Sequence, residues 1–236
     1  MEERIETISD LVDLLNERIS KNYDASIAII GQKGSGKSSL ALLIAKEFYK
    51  KNSMEMNFEQ FVERNVVFSL RPFLEEQLSV KEFLISFKRD VIIFDEAFKI
   101  MGRFSWFSSQ ERKKLIETAV ALITMRFNNN THIFCIPDIN EFTRFLREGS
   151  EISILLRIVE RGKAVVLFAD EFMPDRFHLK KFFELLAERR KNIFQLDSVY
   201  NTYFGLPNFG GLIHFDKLDN EEYDIYERYK IREAIY

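Results

Sequence analysis

The chain has 236 residues, 46% of them hydrophobic, with 34 Lys and Arg against 37 Asp and Glu, a net charge of −3 and 24 Phe. That length suits one large domain or two small ones, and the apolar share is ample for a core built from bulky layers. A near-neutral charge with both signs interspersed excludes a global field that would draw the chain to nucleic acid or membrane, so any DNA contact needs a local basic surface. The single cysteine, Cys135, excludes an intramolecular disulfide and a multi-cysteine metal site, and fits a reducing compartment. No apolar run approaches the roughly 20 residues of a membrane span. The acidic start, MEERIETISD, is unlike a secretory signal. A soluble, intracellular globular protein is expected, one domain over residues 1–236.

In chain order, residues 3–20 place Ile5, Ile8, Val12, Leu15 and Ile19 at helical spacings, predicting an amphipathic helix. SIAII (26–30) is too short for a helix and fits a buried strand. Residues from Lys37 to about Lys51 follow a helical pattern. NVVFS (65–69) is a candidate second strand, with a helical pattern over 71–87 after it. VIIFDE (91–96) is the strongest buried strand, a helix is predicted over 108–127, and THIFCIP (131–137) is another strand. Residues 152–170 read as two strands around a tight ERGK turn in which Gly162 supplies the permissive backbone. Residues 174–191 predict a helix with a basic end. The last 45 or so, mixing Phe, Tyr and Gly with the acidic DKLDNEEYDIYE, have no assigned structure or role. Strands alternating with helices imply a mainly parallel sheet covered on both faces. Right-handed crossovers then bring the loops that follow the strands to one edge, where ligands bind.

Two features must meet on that edge. GQKGSGKS (31–38) satisfies G-x-x-x-x-G-K-[ST] between a predicted strand and a predicted helix, the context this pattern requires. Gly31, Gly34 and Gly36 let the backbone bend so that N–H groups of the loop, Gln32, Lys33 and Ser35 included, turn toward a polyphosphate. The helix start adds its dipole and unpaired amides. Lys37 suits the β- and γ-phosphates of ATP, Ser38 suits Mg2+, and Ser39 suits the α-phosphate. The second feature is Asp95-Glu96 at the end of the VIIFD strand. Asp95 there suits the hydrated Mg2+ of a bound nucleotide. Glu96 is placed to orient a water and accept its proton. Without the loop, the same pair would read equally well as a helix cap after a buried strand.

A phosphate loop combined with an apolar strand ending in Asp-Glu resembles the P-loop ATPases that carry an additional catalytic glutamate. The resemblance implies a three-layer α/β/α sandwich, with THIFCIP inserted between the loop strand and the Asp-Glu strand and a strand hairpin toward the C-terminus. Residues 95 to about 169 further resemble the FtsK and HerA type of DNA-pumping ATPases, which include viral genome-packaging motors. ITMRFNNNTHIFCIPD puts Arg126 shortly before a strand, and RIVERGKAVVLF supplies the glycine-turned strand pair. The likeness spans about residues 26–195, leaving the helix at 3–20 and the tail at 192–236 outside it. It implies that Arg126 reaches the γ-phosphate of a neighbouring subunit as an arginine finger, against the plain alternative of a solvated arginine at a helix end. It also implies a homo-oligomeric ring, with a hexamer as one form, DNA as partner, and a cytoplasmic setting (the host's, if the chain is viral). The family's usual polar sensor, often Gln, is missing where Ile136-Pro137-Asp138-Ile139-Asn140 stands, leaving Asp138 and Asn140 as alternatives.

Weaker features stay open. His132, His178 and His214 are scattered without metal-ligand spacing. Cys135 reads as a small buried hydrophobe. The aromatic and basic stretch 101–114, with Phe104, Trp106 and Phe107, suits packing at a contact or a DNA-facing loop. The tail is a candidate surface for a protein partner. The leading expectation is a Mg2+-dependent ATPase ring that moves or packages DNA. An initiator, loader or helicase-type ATPase is the alternative, with a small-molecule kinase or a nucleotide switch behind it.

Overall fold

Apolar side chains alternate along each strand into two separate cores, and that alternation sets the architecture. The computed structural model describes residues 4–22, 25–69, 79–95, 128–137, 152–169, 177–190 and 202–235. Among the described residues seven strands form one sheet: β1 Ala25–Ile30, β2 Val66–Val67, β3 Val91–Asp95, β4 Thr131–Ile136, β5 Ile154–Glu160, β6 Lys163–Phe168 and β7 Phe209–His214. Their order across the sheet is β2-β3-β4-β1-β5-β6-β7. From β2 to β5 every pairing is parallel, while β6 and β7 add antiparallel partners at one side. β4 lies between β1 and β3, with Ala28 opposite Phe134 and Asp95 opposite Cys135, the insertion expected from the sequence.

Among the described residues, the helices that accompany the sheet include α1 Ile8–Ser20, α2 Lys37–Lys51, α3 Phe58–Asn65, α4 Val80–Ile85, α5 Leu179–Arg190 and α6 Asn220–Ile235. Ile27, Ile29, Ile93, Ile133 and Leu156 point into a core shared with α1, α2, α3 and α6. Ala28, Ile92, Phe94, Phe134 and Leu155 point the other way, against Leu84, Phe87, Phe177, Phe182 and Tyr203. The central strands are therefore buried on both faces, as a parallel sheet between helical layers requires. Phe94 stacks on Phe134 at 5.1 Å and Phe182 on Tyr203 at 4.1 Å, which is where part of the phenylalanine content goes.

Several boundaries differ from the sequence expectation for local reasons. The first helix starts at Ile8, because Thr7 and Asp10 form a reciprocal capping box that closes its N-terminus. Ile5 before it joins Gly211 in a parallel bridge, donating its N–H to the Gly210 carbonyl at 2.9 Å. A Cβ on Gly211 would lie 1.9 Å from the Ile5 carbonyl oxygen, so only glycine admits this cover over the β7 edge. The predicted helix over 174–191 begins at Leu179, after His178 at φ +52°. Helix α3 was not predicted; Asn57 caps it by accepting the Gln60 N–H at 3.0 Å. The unassigned tail supplies β7 and α6 to the body of the fold, with Leu218 and Tyr226 in the first core. The helix predicted over 108–127 and the stretch 101–114 lie outside the described residues.

One buried titratable group makes stability pH-dependent. His132 on β4 is 4% exposed beside the stacked rings of Phe94 and Phe134, and burial pulls its imidazole down to about 4. The unfolded chain, titrating near 6.5, then takes up protons that the folded chain refuses, so stability falls as pH drops below about 6.5. Between pH 7 and pH 5 this group should remove about 2 kcal/mol. Urea unfolding at both pH values checks it, since His132→Asn should lose about that much less than wild type.

Candidate active site

The edge of the sheet where β1 and β3 end carries the site. β1 runs out at Ile30, the chain bends through Gly31–Gly36, and α2 starts at Lys37. Gly34 and Gly36 have φ of +77° and +101°, conformations open to glycine at little cost. Gly36 is the N-cap of α2 with no side-chain cap, and the first turn holds no acidic residue. The amide end of the helix is thus left to an outside anion, and its dipole is not neutralised from within.

The lysine lies inside this bend. Lys37 is 6% exposed, and its ammonium donates to the carbonyls of Gly31 at 2.8 Å and Gln32 at 3.0 Å. Ser35 Oγ is buried without a hydrogen-bond partner among the described residues. Gln32, Lys33 and Gly34 are exposed, and a Cβ on Gly34 would meet nothing within 4 Å, so the outer side of the bend is open. An open concavity with an orphan hydroxyl, an inward ammonium and uncapped amides fits a polyphosphate.

Opposite the bend stands the strand-end carboxylate. Asp95 is 1% exposed, and Oδ1 accepts the Ser38 hydroxyl at 2.9 Å. The two predicted metal residues therefore touch. Among the described residues no group of three or more His, Cys, Asp or Glu is placed to hold a metal ion. One hydroxyl and one carboxylate suit a hard cation that takes its other ligands from phosphate and water, as Mg2+ does. These residues fit ATP and Mg2+.

The other oxygen of Asp95 is engaged from an unexpected quarter. Oδ2 accepts the phenol of Tyr226 and the ammonium of Lys230, the latter at 3.3 Å, and Lys230 also donates to the Tyr226 oxygen at 3.1 Å. Both residues sit on α6, four apart and hence on one helix face. Burial, reinforced by the Asp95 charge, pushes the Tyr226 phenol far above its usual range, so it stays a donor. A signal for α6 was present in the tail: Asp219 followed three residues later by Glu222 is a helix-start pattern. The Asp219 carboxylate accepts the Glu222 N–H at 2.8 Å, the main cause holding it below its usual range.

Of the predicted site residues, Gly31 to Ser39 and Asp95 are brought together. Glu96, Arg126, Asp138 and Asn140 lie outside the described residues. His132, His178 and His214 fall on β4, before α5 and at the end of β7. Cys135 is fully buried within β4 and forms no disulfide.

A phosphate-accepting bend and a hydroxyl–carboxylate pair at the edge of a sheet in this strand order are the mark of the P-loop ATPases. The ATPase family associated with various cellular activities (AAA) matches residues 27–144, half of the chain, and the chain belongs to that family. It is an ATPase. No curated protein matches it. Among solved structures it is similar to the monomer form, with ATPγS, of the pCW3 conjugation coupling protein TcpA, at 14% identity and a TM-score of 0.38. The likeness covers 68% of this chain and 66% of that one, just under two thirds of its length. Among the described residues no helix is long and apolar enough to cross a membrane.

Proposed function

We propose that this chain is a Mg2+-dependent ATP hydrolase that assembles as a homo-oligomeric ring and moves DNA, with genome packaging as one such task. The observation that carries the hydrolase half is the 2.9 Å bond between Ser38 and Asp95, which joins the phosphate bend to the strand end. Lys37 holds the β- and γ-phosphates, the amides of Gly31–Gly36 and the start of α2 hold the rest, and Ser38 and Asp95 hold the metal. When bound, Mg2+ supplies neutralising charge to the phosphates. Glu96 follows Asp95 directly; its carboxylate orients a water and takes its proton as the water oxygen attacks the γ-phosphorus and ADP leaves.

The motor half rests on the order of elements, with β4 between β1 and β3 and the β5–β6 hairpin after it, on which the FtsK and HerA resemblance is built. The described chain resumes at Asn128, whose side chain donates to the Phe87 carbonyl at 2.6 Å, beside the start of β3 and away from Asp95. The FtsK and HerA resemblance implies that Arg126 serves a neighbouring subunit's nucleotide.

Phosphate release with and without duplex DNA, run beside the oligomer mass in each nucleotide state, tests this. DNA should stimulate turnover in assembled protein, Arg126→Ala should remove that turnover, and Glu96→Gln should bind ATP without releasing phosphate. Hydrolysis indifferent to DNA would sink the motor and leave the ATPase. Loading or strand displacement without processive movement would favour the initiator or helicase class, and phosphate transfer to a small acceptor a kinase.

A further inference from the structure

The metal carboxylate already has a cation beside it, and that cation belongs to the chain. Asp95 Oδ2 lies 3.3 Å from the Lys230 ammonium, in an ion pair whose carboxylate side is fully buried. The same oxygen accepts the Tyr226 phenol. Oδ1 meanwhile accepts Ser38, the second residue assigned to Mg2+. Every polar group in the proposed metal site is thus bonded within the protein, half of it by α6.

The C-terminal segment is built to stay there. The Phe215 ring lies where a Cβ on Gly36 would meet it at 3.4 Å, so the segment crosses beside the phosphate bend before α6 begins. Along α6, Glu222 pairs with Lys46 of α2, and Arg228 lies 3.7 Å from Glu59 of α3. The Tyr226 ring packs at 5.5 Å from Phe68. These contacts join α6 to the elements that frame the site, so a change at Asp95 is felt along the helix.

From this we infer that Lys230 is a tethered stand-in for the metal: it competes with Mg2+ for Asp95, and loading of Mg2+ loosens α6. The inference rests on Asp95 being a metal-holding residue, as proposed above. Two cations at one buried carboxylate repel, and the lower the local dielectric the more strongly they do so. Mg2+ therefore binds against the ion pair, and by reciprocity the metal weakens the grip of Lys230 by the same factor. The position of α6 then reports whether the site is loaded, a device through which the C-terminal segment conveys nucleotide state to whatever contacts it.

The test is a Mg2+ titration of binding of a fluorescent, slowly hydrolysed ATP analogue to full-length protein. Lys230→Met should lower the Mg2+ concentration at half-saturation by roughly tenfold, a usual size for a coupling of this kind. Lys230→Arg, keeping the charge, should stay near wild type. Hydrogen exchange over residues 220–235 in wild type should rise when analogue and Mg2+ are both added, and not with analogue alone. Lys230→Gln, with a thermal melt on each variant, covers the event that the Met variant fails to fold. An unchanged midpoint, or weaker analogue binding in both neutral variants, would overturn the inference, the latter because Lys230 would then serve the phosphates. Asp95→Asn separates the two levels. If it keeps the wild-type Mg2+ dependence, the metal assignment itself is wrong; if it loses that dependence while Lys230→Met matches wild type, only the stand-in role falls.

Discussion

Lys37→Ala is expected to lower kcat/KM for ATP by about a thousandfold, or about 4 kcal/mol, with the fold intact. The ammonium is 6% exposed and oriented by the Gly31 and Gln32 carbonyls, so it is already aimed within the bend before any phosphate arrives. A charge already held in place costs little reorganisation when negative charge develops next to it, and that is the condition under which electrostatic stabilisation is large. Truncation also takes the donor from the Gly31 and Gln32 carbonyls, so unfolding free energy should fall by about 1–2 kcal/mol, well short of the catalytic loss. Isothermal titration with ATP and Mg2+, phosphate release and urea unfolding separate these effects. Wild-type nucleotide affinity in the variant would count decisively against the phosphate-cradle assignment.

The parts of the fold most legible in the sequence are those where local pattern and tertiary role agree. β1, β3 and β4 are apolar runs because both faces are buried, and the bend after β1 announces itself because GQKGSGKS stands between an apolar strand and a helical pattern. Elsewhere, long-range contacts decide. Val66 and Val67 form a strand only because β3 lies alongside, pairing them with Ile93 and Phe94. β7 is interrupted by two glycines and has no assignable pattern in the sequence, yet it pairs with β6 and receives Ile5 across a gap too narrow for a Cβ. Tyr226 and Lys230 carry no motif: a tyrosine and a lysine four apart in an acidic tail look like any solvated helix until the helix is laid against Asp95. The site was thus readable on the side where backbone geometry makes it and invisible on the side where a remote helix closes it.

The opposite edge of the sheet should behave in the inverse way, and Asp90→Ala is the variant that shows it. Asp90 is 6% exposed at the start of β3; its Oδ1 accepts the Tyr49 hydroxyl at 2.5 Å and the Val91 N–H at 2.7 Å. Its own N–H donates to Asn130 at 3.1 Å, and its carbonyl accepts Thr131 N–H at 2.8 Å. Asn65 closes the cluster by donating to the Val91 carbonyl at 2.9 Å. These residues tie α2, α3, β3 and β4 together where the strands begin. Burial, helped by the Asp90 bond, pushes the Tyr49 phenol well above its usual range, so it remains a donor in need of an acceptor. Truncating Asp90 leaves that hydroxyl and one backbone N–H orphaned, a loss of about 3 kcal/mol in unfolding free energy. Asp90→Asn retains an acceptor and should recover most of it. Tyr49→Phe combined with Asp90→Ala should cost less than the sum of the two, because each removes the other's partner. Nucleotide affinity of the folded fraction should stay within about threefold of wild type, since small mutational effects at distant sites add independently. Urea unfolding and analogue binding on the same samples decide the matter: a fully folded Asp90→Ala protein that had lost its nucleotide would mean that the two edges are coupled through α2, which begins at Lys37 and carries Tyr49 near its end.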